Sequence, residues 1–177
     1  MMSSVRSRGN AFAALELDRA SESREDSAWL AEHAYSPQAR FVLLDPDGKA
    51  LLSADRRQLL AVDRDGRERL ASGAASFLGR AGATDHFALA LDTDTAARAA
   101  AETGGVFADL RSAGASLPAF DAGLFAYARG LAHWQQRTRF CPACAAPLRL
   151  EAGGHRARCT NPQCGIQQFP RTDPAVI

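Results

Sequence analysis

Apolar and polar positions divide the chain into stretches of different character. Residues 1–36 are polar and broken by Ser and Glu/Asp clusters, which predicts a lead-in with a short helix near residues 25–33. From Phe41 the pattern tightens. FVLLDPDGKALLS sets two short apolar runs around Asp47-Gly48, a hairpin signal because Gly accepts the positive φ that tight turns demand. QLLAVDRDGRERL repeats the pattern around Asp65-Gly66 and predicts a second hairpin, with Arg67-Glu68-Arg69-Leu70 on its polar edge. HFALALD, from His86, reads as a further strand, so this segment predicts a small sheet.

Helical spacing takes over next. TDTAARAAAE (Thr93 to Glu102) predicts a helix capped by Thr93 or Asp94 and ended by Gly104-Gly105. Leu117, Phe120, Leu124, Tyr127, Leu131 and Trp134 recur at intervals of three and four, which puts all six on one helix face. Pro118 suits the first turn, where its missing N–H costs nothing. That face either lies on the domain's own sheet or forms a seam with a partner helix; six positions fall short of a coiled coil. The fold class is α+β: a small mixed-sheet N-terminal domain with a long helix, followed by a small C-terminal module.

Composition adds bounds. A chain of 177 residues, 46% hydrophobic and 23% charged, suits one ordinary domain plus a small module. No apolar run approaches the roughly 18 residues of a membrane span, so no membrane partner is expected. The opening MMSSVRSRGNAFAAL, with two arginines and no acid, reads as a frayed bacterial N-terminus or a faint transit peptide, and has no secretory h-region. A cytoplasmic location is expected. Net charge is +1, yet residues 1–128 balance to −4 and residues 129–177 to +5. Positive charge therefore concentrates near the cysteines.

All four cysteines fall within 24 positions, as Cys141-x2-Cys144, fourteen residues, then Cys159-x4-Cys164. Two short-spaced thiolate pairs suit tetrahedral zinc, so the C-terminal module is expected to be a rubredoxin-like zinc ribbon. LRLEAGGHRAR between them has the form of a hairpin turning at Gly153-Gly154, with His155 an exposed hairpin residue. Two disulfides would need an oxidising compartment, and a thioredoxin-like pair would leave Cys159 and Cys164 idle. Four thiolates on one zinc leave a charge of −2 and no open position to activate water, so the metal is a structural staple. Arg129, Arg137, Arg139, Arg149, Arg156, Arg158 and Arg171 partly offset that charge. Any surplus either meets phosphates or forms a solvated shell.

A long helix ending in aromatic and basic residues, then RTRFCPAC, a ribbon of this spacing and FPRTDPAVI, resembles the NADH pyrophosphatases of the Nudix superfamily, which also remove NAD caps from RNA. The resemblance is carried by Gly123-Leu124-Phe125, Trp134, Arg139-Phe140-Cys141 and Phe169-Pro170-Arg171 through Pro174-Ala-Val-Ile177, with Phe107 to Arg111 a further match. It implies hydrolysis of the diphosphate of NAD(H) or of an NAD-capped 5′ end, Mg or Mn held by the glutamates of a Nudix box, and a homodimer. It also implies substrate contacts for Phe169, matching an aromatic that reaches the nucleotide across the dimer, and for Arg111. The bland readings are a plug on the ribbon for Phe169 and a structural ion pair for Arg111.

The sequence departs from that family at its chemistry. A Nudix box needs a Glu-Glu pair, and none occurs; Arg67-Glu68-Arg69-Leu70 is its nearest imitation. The expected organisation is a lead-in over 1–36, an NADH pyrophosphatase-like domain over 37–136, a zinc ribbon over 137–170, and over 171–177 the start of a truncated catalytic domain. On this reading the chain serves folding, dimerisation and substrate enclosure, with Zn on Cys141, Cys144, Cys159 and Cys164, no catalytic residue of its own, and Mg or Mn only in the missing domain. A stand-alone relic, a zinc-ribbon nucleic-acid-binding module and a thiol redox protein are the alternatives.

Overall fold

The computed structural model describes residues 15–70 and 74–170. Expectations for residues 1–14 and 171–177, including the first strand of a catalytic domain, lie outside the described residues.

The run ARFVLL forms β1 (Ala39–Leu44), and its alternate side chains point to opposite faces, as a strand requires. Val42 and Leu44 enter one core while Phe41 and Leu43 enter another, so this strand is buried on both sides. A mixed sheet assembles around it. β5 (Thr84–Ala90) runs parallel to β1, with Ala39 opposite Asp85 and Leu44 opposite Ala90. β2 (Ala50–Leu52) and the two-residue β3 (Ala61–Val62) pair antiparallel with β1. β4 (Ser76–Ala81) and β6 (Val106–Ala108) pair antiparallel with β5 and β2 and form the two edges.

Helices cover both faces. On one lies α5 (Ala119–Arg137), bringing Leu124, Phe125, Ala128 and Leu131 against Val42, Leu44, Leu52 and Leu78. On the other, α1 (Ser27–Ala34), α2 (Arg64–Leu70) and α3 (Thr93–Thr103) pack on Phe41, Leu43, Phe77, Phe87 and Leu89. The six-residue stripe from Leu117 to Trp134 belongs entirely to the first core, so it meets the domain's own sheet. Part of the lead-in also joins the domain. Leu15 and Leu17 pack on the first core, and Asp18 pairs with Arg80 on the outer edge of β4 through bonds of 2.9 and 2.7 Å.

The Asp45–Lys49 hairpin is present. Asp45 Oδ1 accepts from the amides of Asp47 and Lys49, and Gly48 takes φ +74°. The second hairpin is not. Asp65-Gly66 lies inside α2, because Asp63 caps that helix by accepting the Gly66 amide at 2.8 Å. Gly66 is small for a packing reason, since a Cβ there would lie 2.8 Å from Val62 Cβ. Arg67 to Leu70 is accordingly helical, and Leu70 is buried. Two boundary details also shift. Asp92, rather than Thr93 or Asp94, caps α3 by accepting the Thr95 amide at 2.8 Å. Pro118 is the residue before α5 rather than in its first turn.

The C-terminal module is a three-stranded antiparallel sheet of β7 (Leu148–Glu151), β8 (Arg156–Cys159) and β9 (Gln167–Gln168). The β7–β8 turn is driven into the N-terminal domain. Ala152, Gly153 and Gly154 have φ of +50°, +62° and +91°. A Cβ on Gly154 would lie 2.6 Å from both Gln135 Nε2 and Ser76 Oγ. Gly154→Ala should therefore destabilise the protein by about 2–3 kcal/mol in urea unfolding, through backbone strain plus collision. Gly82→Ala, at φ +58° with nothing within 4 Å, should cost about 1 kcal/mol from strain alone. Equal losses would show that the turn is not seated.

Candidate metal centre and adjoining groove

Each cysteine pair is presented by a turn that closes on a left-handed residue. In the first, Ala145 N–H donates to the Cys141 carbonyl at 2.9 Å, with Ala145 at φ +58°. In the second, Gly165 N–H donates to the Asn161 carbonyl at 3.1 Å, with Gly165 at φ +61°. The two turns are tied by the Thr160 amide and hydroxyl, which both donate to the Pro147 carbonyl.

This brings the four sulfurs together. All lie within 4.8 Å of one another. The short separations cross between turns, 3.7 Å for Cys141–Cys164 and 3.4 Å for Cys144–Cys159. Bonded sulfurs stand about 2.0 Å apart, so these are four free thiols. Zinc–sulfur bonds of about 2.3 Å in a tetrahedron imply sulfur–sulfur edges of about 3.8 Å, so the donor set fits zinc. The amides of Ala143 and Cys144 draw the Cys141 thiol down to about 7, while burial pushes Cys159 up to about 12. A cation at the centre would favour the thiolate at all four.

His155 is not the exposed hairpin residue that its glycine-rich surroundings suggest. It is buried, and its Nε2 donates to the Phe77 carbonyl at 2.7 Å on edge strand β4. Burial first, then the positive charges of Arg24 and Arg19, lowers its pKa to about 4, against the pull of the Phe77 carbonyl. It lies outside the sulfur cluster and fastens the ribbon to the domain. Gln135 Nε2 adds a bond to the Gly154 carbonyl at 2.9 Å, and Arg156 pairs with Glu25 at 2.7 Å.

Three of the ribbon's arginines engage one carboxylate. Glu151 accepts from Arg149 at 2.8 Å, Arg156 at 3.1 Å and Arg158 at 3.0 Å, which holds its carboxyl down at about 2. Arg129 pairs with Asp109.

Phe169 and Arg111 are placed apart. Phe169 follows β9, is 57% exposed, and lines a groove of about 1000 Å³. Arg111 lies exposed on α4 (Leu110–Ala113), where its amide donates to Asp109 Oδ1, and it is not among the residues lining the groove. One wall of the groove is α5 from Gly123 to Arg137; Arg19 and Arg24 of the lead-in form another. Sequence reading missed this groove. Its one legible trace is the spacing of Gly123, Ala126 and Gly130, which strips bulk from one side of α5.

Three outcomes follow from this geometry. Purified chain should carry one zinc, and a chelator should release it while making four thiols titratable; a Cys141–Cys144 disulfide would contradict the site. Ala145→Gly should raise stability by about 0.5–1 kcal/mol in zinc-saturated denaturant unfolding, because it relieves a left-handed alanine at a turn. His155 is neutral when folded and basic when unfolded, so its contribution is complete above about pH 6.5 and is lost as pH falls toward 4. Over that window the wild type should lose up to about 3 kcal/mol more than His155→Gln. Parallel pH profiles for the two would contradict the buried neutral ring.

Comparison with known proteins follows the same division of the chain. Residues 38–134 match the NADH pyrophosphatase-like rudimentary NUDIX domain, and residues 136–169 match the NADH pyrophosphatase zinc ribbon domain. The NAD-capped RNA hydrolase NudC of Deinococcus radiodurans is 34% identical over 142 residues, covering 80% of this chain and 45% of that protein. The NAD-capped RNA hydrolase of Schizosaccharomyces pombe is 37% identical over 91 residues, covering 43% of this chain and 24% of its own length. Human NAD-capped RNA hydrolase NUDT12 is 36% identical over 63 residues, 32% of this chain and 14% of the relative. The chain thus spans less than half of each of these curated relatives. With a rudimentary NUDIX domain joined to a ribbon whose four sulfurs converge, the chain belongs to the NADH pyrophosphatase family of the Nudix superfamily.

Proposed function

We propose that these residues are the N-terminal and zinc-ribbon portion of a hydrolase that cleaves the diphosphate of NAD(H) or of an NAD-capped RNA 5′ end. The observation that carries this reading is the succession of two family matches with the four sulfurs gathered inside the second. Cys141, Cys144, Cys159 and Cys164 ligate one structural zinc. Saturated by four sulfurs, that ion supplies folding energy and no open position for water. The reacting groups lie elsewhere, since the 177 residues contain no Glu-Glu pair with which a Nudix box could hold Mg or Mn.

The chain's own task is folding, dimerisation and enclosure of substrate in a reducing compartment, the cytoplasm. Four free thiols support that compartment. Phe140, Leu150, Ile166 and Phe169, all large, apolar and exposed on the ribbon, support association with a second copy. Phe169 reaches substrate across that interface. Arg111, exposed, contributes a cation from the N-terminal domain. Among the described residues no helix is long and apolar enough to cross a membrane.

The isolated chain should release no NMNH or AMP from NADH with manganese. Joined to the remainder of the Deinococcus relative, it should support NADH cleavage, and Phe169→Ala should raise KM more than it lowers kcat. Turnover by the isolated chain, or an inactive folded chimera, would overturn the assignment.

A further inference from the structure

The four cysteines of the metal centre are not equally open to solvent. Cys141 and Cys159 are 2% and 4% exposed, and Cys164 is half-buried. Cys144 alone of the four is exposed, within an exposed run of small residues from Pro142 to Ala145. Cys159 Sγ, from the opposite turn, stands 3.4 Å from Cys144 Sγ, while Cys141 and Cys164 face each other at 3.7 Å. The fold thus sets one accessible cysteine beside one that solvent barely reaches. A two-step thiol oxidation requires that juxtaposition: an accessible thiolate meets the oxidant, and a protected one beside it resolves the product. Sulfurs that ligate a cation are held as thiolates, the nucleophilic form.

We propose that Cys144 is an oxidation site for hydrogen peroxide, that Cys159 resolves it as a disulfide, and that the ribbon gives up its zinc in consequence. In the first step the Cys144 sulfur attacks one peroxide oxygen. An S–O bond forms, the O–O bond breaks, and the departing hydroxide takes a proton to become water. In the second, the Cys159 sulfur attacks Cys144 Sγ. The S–S bond forms, the S–O bond breaks, and hydroxide again leaves as water after taking a proton. The two sulfurs lose two electrons and the peroxide gains them. About 1.4 Å of closure separates the 3.4 Å contact from a bond. The site is then left with Cys141 and Cys164, half its donors. The new cross-link keeps β8 on the first turn but releases the second turn, which carries Cys164 and leads into β9 and Phe169. A thiol reductant reverses the change, as befits a transient disulfide in a reducing compartment. The proposal rests on the sulfur cluster and not on the hydrolase reading.

The test uses the zinc-loaded full chain, hydrogen peroxide and a weak chromophoric chelator that reports freed metal. Peroxide should release the zinc, and a thiol reductant with added zinc should restore the site. Peptide mapping after alkylation should find Cys144 bonded to Cys159 as the first disulfide. Dimedone added with the peroxide, which traps sulfenic acids, should label Cys144 before any other sulfur. Cys144→His keeps four ligands while removing the oxidisable atom, so its zinc should leave at least about tenfold more slowly. Cys164→His retains Cys144 and Cys159, so it should still form their disulfide and lose zinc at least as fast as about a third of the wild-type rate. Should either variant fail to fold, mapping and trapping in the wild type decide alone. Zinc retained under peroxide, a first disulfide through Cys141 or Cys164, first labelling of another sulfur, or wild-type sensitivity in Cys144→His would overturn the proposal. None of these readouts involves NADH cleavage. An inactive chimera therefore leaves the oxidation site standing, and an unreactive Cys144 leaves the hydrolase reading standing.

Discussion

The hydrogen bond from His155 to the Phe77 carbonyl is the contact on which the rest of the arrangement hangs. β4 is an edge strand, so its outer backbone groups need partners other than a neighbouring strand. Asp18 covers one stretch of that edge and the ribbon's turn covers another. The ring is buried, and removing one partner from such a bond leaves a desolvated polar group at a cost of about 1–3 kcal/mol. Around it, Gly153 packs tightly on Phe77, and Gly154 seats against Ser76 with no room for a Cβ. Because His155 directly precedes β8, fixing it fixes the strand that leads to Cys159 and pairs with β9. Phe169 is therefore positioned by the sulfur cluster at one end of β8 and by Phe77 at the other.

Both anchors are needed because the ribbon has almost no core. Of residues 139–170 only Cys141, His155, Ala157 and Cys159 are buried. Four small or polar side chains cannot offset the entropy of ordering some thirty residues. Structural zinc contributes about 10–16 kcal/mol in comparable small modules, enough to close that gap. The N-terminal domain needs no such aid. Its sheet is covered on both faces, with Phe41, Phe77 and Phe125 fully enclosed. Stability thus has two separate sources, dispersion and apolar burial in the domain and metal–sulfur bonds in the ribbon, joined at one glycine-rich turn.

Much of this was legible in the residues, and the failures have physical causes. The short apolar run from Phe41, the three-and-four spacing from Leu117 to Trp134 and the double cysteine pairs each reflect a local rule that tertiary context did not override. Asp65-Gly66 misled because Asp-Gly favours a hairpin turn and disfavours a helix, and here packing overrode that preference. What decided it was Asp63, two residues upstream, acting as a cap, and the proximity of Val62, which demanded a residue without Cβ. His155 misled for a related reason. Glycines beside it signalled an exposed turn, whereas their lack of side chains is what lets the turn enter the domain. The groove was illegible as a whole because its arginines come from residues 19, 24 and 137, which only the packing of the lead-in against α5 brings together.

The central claim is that ribbon and domain form one cooperative body, held by metal at one end and by the His155 turn at the other. Native-state hydrogen exchange of the zinc-loaded protein tests it most directly. Amides of β8, Arg156 to Cys159, and of β4, Ser76 to Ala81, should open with the same free energy. Stripping the zinc should free the β8 amides and loosen the outer edge of β4 while β1 stays protected. If β8 instead exchanges at a rate unrelated to β4 with zinc bound, the ribbon is an independent appendage and the account fails.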